Sequence, residues 1–235
     1  MESETNQPKW KPIGSIFRRV LGVLVEKAKT TPDNYPMTIN AIVTGSNQKS
    51  NRSPKMDLSA EDVEDAMDEL RRIGAVAEIQ GDGRKFKYRH LLYEWLGVDK
   101  VQLAVMAELL LRGEQTLGEL RARASRMESI DGLDSLKPVV QQLIDRDLIL
   151  PLTPEGRGQL VTHCLYLPEE LAELQRRFET GPSDQAVTAA RSGESSRPTE
   201  SPLANNVTER RLSELEAQLQ QLVMRIDRLE ARLPE

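Results

Sequence analysis

Residues 59–90, SAEDVEDAMDELRRIGAVAEIQGDGRKFKYRH, constrain the fold more than any other stretch. Val63, Ala66, Met67, Leu70 and Ile73 recur at helical spacing, so one face of a helix is apolar. Ser59 stands at the capping position, with Asp62 three residues on in the capping-box position. Gly74 is suited to end the helix. A strand over 75–79, the turn Gly81-Asp82-Gly83 and a strand over 84–90 follow. In the last strand Phe86, Tyr88 and His90 fall on one side and Lys85, Lys87 and Arg89 on the other, as in a half-buried strand with a basic outer face. A helix followed directly by a small antiparallel hairpin is the second half of a winged-helix domain.

The pattern occurs twice. A shift of 73 residues carries Val63, Met67 and Leu70 onto Leu136, Val140 and Leu143, and His90 onto His163. A shift of 82 carries Leu21-Gly22-Val23-Leu24 onto Leu103-Ala104-Val105-Met106, and the difference is extra loop in the first copy. The first copy opens with a helix from Pro12, with Ile13, Ile16, Phe17, Val20, Leu21, Leu24 and Val25 on one face, then a short helix over 38–44. The second has helices over 98–111, 116–125 and 132–147, strands over 148–152 and 159–167, and a closing helix over 169–178. The predicted fold is therefore mainly α with small β-hairpin wings. Two tandem winged-helix domains cover 12–97 and 98–179, after a disordered N-terminus over 1–11.

Residues 180–205 are rich in Gly, Pro, Ser, Thr and Ala without apolar periodicity, and read as a disordered linker. Over 206–233, Leu212, Leu215, Leu219, Leu222, Ile226, Leu229 and Leu233 alternate in steps of three and four. That is the seam of a coiled coil, and it points to a homo-oligomer. Folding of this helix back onto the body is the alternative.

The stretch 36–56, PMTINAIVTGSNQKSNRSPKM, resembles the signature region of an uncharacterised bacterial family, the YceH-like proteins. GDGRKFKYRH and LLLRGEQTLGELRAR (109–123) are similar to the same family's further hallmarks. The resemblance runs from about residue 12 to 168 and implies a tandem winged-helix fold. It implies no activity, cofactor or catalytic residue.

The net charge of -5 gives a nucleic-acid reading no help, so any phosphate contact must come from local patches. Lys49, Asn51, Arg52 and Lys55 in the loop, and Arg84, Lys85, Lys87 and Arg89 on the wing, are candidates for contacting duplex DNA through backbone phosphates. Arg121 and Arg123 are candidates in the second copy. Opposing this, the third helix carries six acids against Arg71 and Arg72, which disfavours insertion into a major groove. The competing reading is a protein-interaction adaptor, with the acidic helix and the heptad tail as docking elements.

An enzyme has the least support. His90 and His163 hold equivalent places, as packed residues do, and no Cys, His or carboxylate cluster has metal-ligand spacing. Cys164 and His163, adjacent on a strand, point to opposite faces. No catalytic residue, cofactor or metal is expected. The single cysteine, the polar N-terminus and the lack of a long apolar run predict a cytoplasmic protein without a membrane segment.

Overall fold

The computed structural model of the chain describes residues 10–80 and 86–179. The first copy runs α1 (Ser15–Thr30), a 3-10 turn (Pro32–Asn34), α2 (Ile39–Ser46), α3 (Ala60–Arg72), then strands β1 (Val76–Gln80) and β2 (Phe86–His90). Its start lies three residues beyond Pro12, with Gly14 as the N-cap. Thr38 caps α2 by accepting the Ala41 N–H. Ser59 accepts the Asp62 N–H at 3.1 Å while Asp62 accepts the Ser59 N–H at 2.8 Å, so α3 begins on the expected reciprocal box. The Ser59 hydroxyl, 2.7 Å from the same carboxylate, and then the Ser59 N–H hold the Asp62 carboxyl below its ordinary range. Gly74 follows α3 with φ +75, a conformation that needs no Cβ.

The second copy repeats the order. After α4 (Leu92–Leu96) come α5 (Lys100–Arg112), β3 (Gln115–Thr116), α6 (Leu117–Ala124), α7 (Leu133–Ile144), β4 (Ile149–Pro151), β5 (Leu160–His163) and α8 (Pro168–Glu179). Asp99 with Gln102, and Thr116 with Glu119, form the capping boxes of α5 and α6. Among the described residues the protein is mainly helical, with one two-stranded and one three-stranded antiparallel sheet.

Details that composition could not anticipate support the duplication. Met37, just before α2, bridges to Tyr88, and Gln115, just before α6, pairs with Val161. Tyr88 and Val161 are equivalent under the 73-residue shift. His90 Nδ1 accepts the Leu92 N–H at 3.4 Å, and His163 Nδ1 accepts the Leu165 N–H at 3.2 Å. Each ring lies beside a tyrosine three residues on, Tyr93 and Tyr166 respectively.

Two expectations change. The two domains expected over 12–97 and 98–179 do not keep separate cores: their buried residues form one continuous core, from Val20 and Leu24 through Leu103 and Met106 to Leu136 and Leu143. The cause is the α1–α5 contact. Every residue from Arg18 to Glu26 is buried, so α1 is enclosed on all sides rather than on one face. Gly22 permits the approach, since a Cβ there would stand 2.8 Å from Leu111 Cγ and 3.3 Å from the Ala107 carbonyl oxygen. The second correction concerns β2. Tyr88 is buried and His90 half-buried, but Phe86 is 54% exposed. It pairs with Gln80 at the far end of the ladder, where burial has fallen away along both strands.

Contacts of the segment around α1 with the β5–α8 segment also join the copies. The Ile13 N–H donates to the Leu165 carbonyl at 3.0 Å, and Arg18 on α1 pairs with Glu170 on α8 at 2.7 Å. The linker over 180–205, the helix over 206–233 with its seam from Leu212 to Leu233, the turn Gly81-Asp82-Gly83, and residues 1–9 lie outside the described residues.

Candidate functional site

The loop between α2 and α3 divides into an inner and an outer set. Arg52 was a candidate phosphate contact, but its side chain is fully buried. It pairs with Glu26 on α1 at 2.5 Å and donates Nε to the Gly45 carbonyl at 2.9 Å. Asn51 sits at φ 61 and accepts a hydrogen bond from Arg112 at the end of α5. The Ser53 N–H donates to the Leu111 carbonyl at 3.0 Å. Asn47 clamps Leu58 through both its amide atoms at 2.8 Å. This segment is a strap joining the first copy to α5. Only Lys49 and Lys55 of the candidates here are exposed.

On the hairpin, Lys87 and Arg89 are exposed. Their cross-strand partners, Ile79 and Ala77, share the same face. Arg84 and Lys85 lie outside the described residues. In the second copy neither candidate reaches outward as expected. Arg121 donates to the carbonyls of Ile130 at 3.2 Å and Asp131 at 2.9 Å, fastening the α6–α7 loop. Arg123 donates to Gln115 Oε1 at 2.6 Å and contacts Glu119 at 3.3 Å. These bonds occupy some of the five N–H donors of each guanidinium and hold both side chains against the second copy.

The outward face of α3 has the opposite character. Glu61, Glu64, Asp65 and Asp68 are exposed at helical spacing, opposite the buried stripe Val63, Ala66, Met67 and Leu70. Arg71 contacts Asp68 and Glu78, each at 3.1 Å, and Arg72 pairs with Glu69. Glu61, Glu64 and Asp65 have no ion-pair partner among the described residues. A bare acidic ridge therefore stands where a major-groove reader would carry its contacts. The same copy exposes Ile79 and Phe86 near its hairpin tip.

In the second copy the matching place is a groove. It has a volume of about 850 Å³ and runs between α7, the start of α6 and the β4–β5 hairpin. Val140, Ile144, Pro151 and Leu152 give it apolar walls, and Lys137 and Glu155 stand on its rim. Pro138 lacks the N–H that would bond the Asp134 carbonyl, and both residues line this groove.

The sequence reading missed the buried charges between the copies. Glu108 on α5 is fully buried, 2.8 Å from Arg112 and 3.7 Å from Arg126. Burial raises its carboxyl above the usual range against the pull of those arginines. The 82-residue shift carries Glu26 onto Glu108, so each copy sets one acid at the same place on its first helix. That coincidence was the available signal: an acid recurring inside an apolar run is a buried, paired acid.

Both histidines are packed, and burial disfavours their charged forms. Burial, then the charge of Lys29, lowers His90 to about 4; burial and Arg18 hold His163 well below its ordinary value. The Cys164 thiol is raised to about 11 by burial, which opposes thiolate chemistry. Among the described residues no group of three or more His, Cys, Asp or Glu could hold a metal ion. Likewise, no helix among them is long and apolar enough to cross a membrane.

These features define a mainly helical protein with small antiparallel sheets on one core and charged surfaces among the described residues. Residues 14–156 match the family described as "Protein of unknown function, DUF480", and the chain belongs to it. It is 53% identical over 196 residues to the UPF0502 protein RB6530 of Rhodopirellula baltica, covering 83% of this chain and 82% of that one. A UPF0502 protein of Paracidovorax citrulli is 39% identical over 175 residues, 71% of this chain and 75% of the relative. The UPF0502 protein GSU0233 of Geobacter sulfurreducens is 40% identical over 168 residues, with shares of 70% and 77%.

Proposed function

We propose that the chain is a tandem winged-helix binding module of the cytoplasm that docks a basic protein partner on the acidic ridge of α3. Each copy supplies three helices and a hairpin, and the short pairing ahead of the second helix completes the winged-helix pattern. One observation carries the functional reading: Glu61, Glu64 and Asp65 are exposed and unpaired on a single helix face. A lysine- or arginine-bearing partner complements that face, and Phe86 adds an exposed aromatic anchor on the same copy. The heptad seam from Leu212 to Leu233 would make the module a homo-oligomer and multiply weak contacts. The test compares the proteins captured by the full chain with those captured by Glu61→Lys/Glu64→Lys/Asp65→Lys. Partners lost only on charge reversal support the ridge; partners retained in full remove it.

A second reading keeps duplex DNA as the partner, because Lys49, Lys55, Lys87 and Arg89 are exposed. Four phosphate contacts predict a slope of about -3.6 in log K against log salt. Fluorescence anisotropy with a duplex across a salt series measures it. Binding that is salt-independent, or undetectable at low ionic strength, eliminates the DNA reading.

A further inference from the structure

We propose that the cleft between the start of α1, the end of α5 and α8 binds a small oxyanion, the carboxylate or phosphate group of a compact metabolite. The cleft has a volume of about 480 Å³, which suits a small molecule. It lies where the two copies and the closing helix meet.

Arg19 in its wall carries the argument. The residue is 1% exposed, yet no carboxylate pairs with it among the described residues. Its Nη atoms donate to two neutral carbonyls, Ser46 at 3.1 Å and Pro54 at 2.6 Å, and its Nε has no hydrogen-bond partner. Burial, and then the charge of Arg52, lower its pKa to about 10. A buried cation without a counter-charge is costly, and an anion in the cleft would offset that cost.

The other basic groups show why Arg19 differs. Arg18 is already matched by Glu170 in a two-bond pair and lies over the Tyr166 ring at 4.6 Å. Arg112 is matched by Glu108. His163, also in the wall, accepts at Nδ1, so its neutral ring carries the proton on Nε2, for which no acceptor is present among the described residues. Glu114, Glu170 and Glu173 also line the cleft, but each contacts an arginine, Arg177, Arg18 and Arg176 respectively, so the one unmatched cation and one unused N–H donor suit an oxyanion.

The experiment measures the thermal midpoint of the full chain against sodium phosphate and, separately, sodium acetate, with ionic strength held constant by chloride. The proposal expects a saturable rise with at least one of the two. Phosphate alone assigns a phosphate source, and acetate alone a carboxylate. Arg19→Met should weaken the apparent affinity at least tenfold. Ser15→Trp, an exposed position at the cleft on the first turn of α1, should abolish the rise without touching the core, and serves if the Arg19 variant does not fold. No response to either anion overturns the proposal. So does a response that never saturates and is unchanged in Ser15→Trp.

Discussion

Replacing Arg52 by alanine separates a structural strap from a phosphate contact. The change leaves the Glu26 carboxylate, whose side chain is 10% exposed, without its 2.5 Å partner, and it removes the Nε donor from the Gly45 carbonyl. Breaking a buried pair from one side costs about 3–5 kcal/mol, because the remaining charge stays buried. For a body of this size each kcal/mol moves the melting midpoint by about 2–4 °C, so Arg52→Ala should fall by about 6–20 °C. Lys49→Ala, on the same loop but exposed, should stay within about 0.5 kcal/mol of the parent. Glu26→Met/Arg52→Met should cost less than the sum of its single changes, since neither charge is left alone. Urea unfolding of the parent, Glu26→Met, Arg52→Met and the double variant gives the cycle. A value for Arg52→Ala within 0.5 kcal/mol of the parent refutes the strap and returns Arg52 to the surface.

Two further outcomes follow from local geometry. His90 is lowered to about 4 and His163 is held well below its ordinary value, so the unfolded chain binds more protons than the folded one below pH about 6.5; stability is full above that pH and is lost as pH falls toward 4. Because Glu108, raised by burial, acts in the opposite sense, His90→Gln and His163→Gln are compared with the parent, and each should flatten the decline between pH 6.5 and 4.5; an unchanged slope contradicts the assignment. Removing the Ser59 cap of α3 by Ser59→Ala should cost about 1 kcal/mol in denaturant midpoint without altering the m-value, and a change in m indicates instead that the folded or unfolded state was altered.

Periodicity made the elements legible. The stripe Val63–Met67–Leu70 and its counterpart Leu136–Val140–Leu143 are all buried, and the Ser59 box and Gly74 stop stand where local chemistry put them. Boundaries moved by a few residues because fraying and caps, not apolar spacing, set them. The two-residue strand Gln115–Thr116 escaped notice because it is too short to show alternation. What composition could not reveal is which charges face inward. Arg52 and Lys49 look alike in a polar loop, and only the presence of Glu26 on the far side of the core distinguishes them. For the same reason the bonds of Arg121 and Arg123 to loop carbonyls and Gln115 were not legible in the sequence. The acidity of α3 was legible from the outset, because charges off an apolar stripe have nowhere to point but outward.

Native-state hydrogen exchange tests most directly the claim that two copies fold on one shared core. Leu143→Ala removes a fully buried side chain from α7, in the second copy, and should cost about 2–5 kcal/mol. The account predicts that the slowest amides of α3, in the first copy, lose protection by the same free energy as those of α5 and α7. Protection in α3 that stays at the parent value while α7 opens would show two independent cores and contradict it.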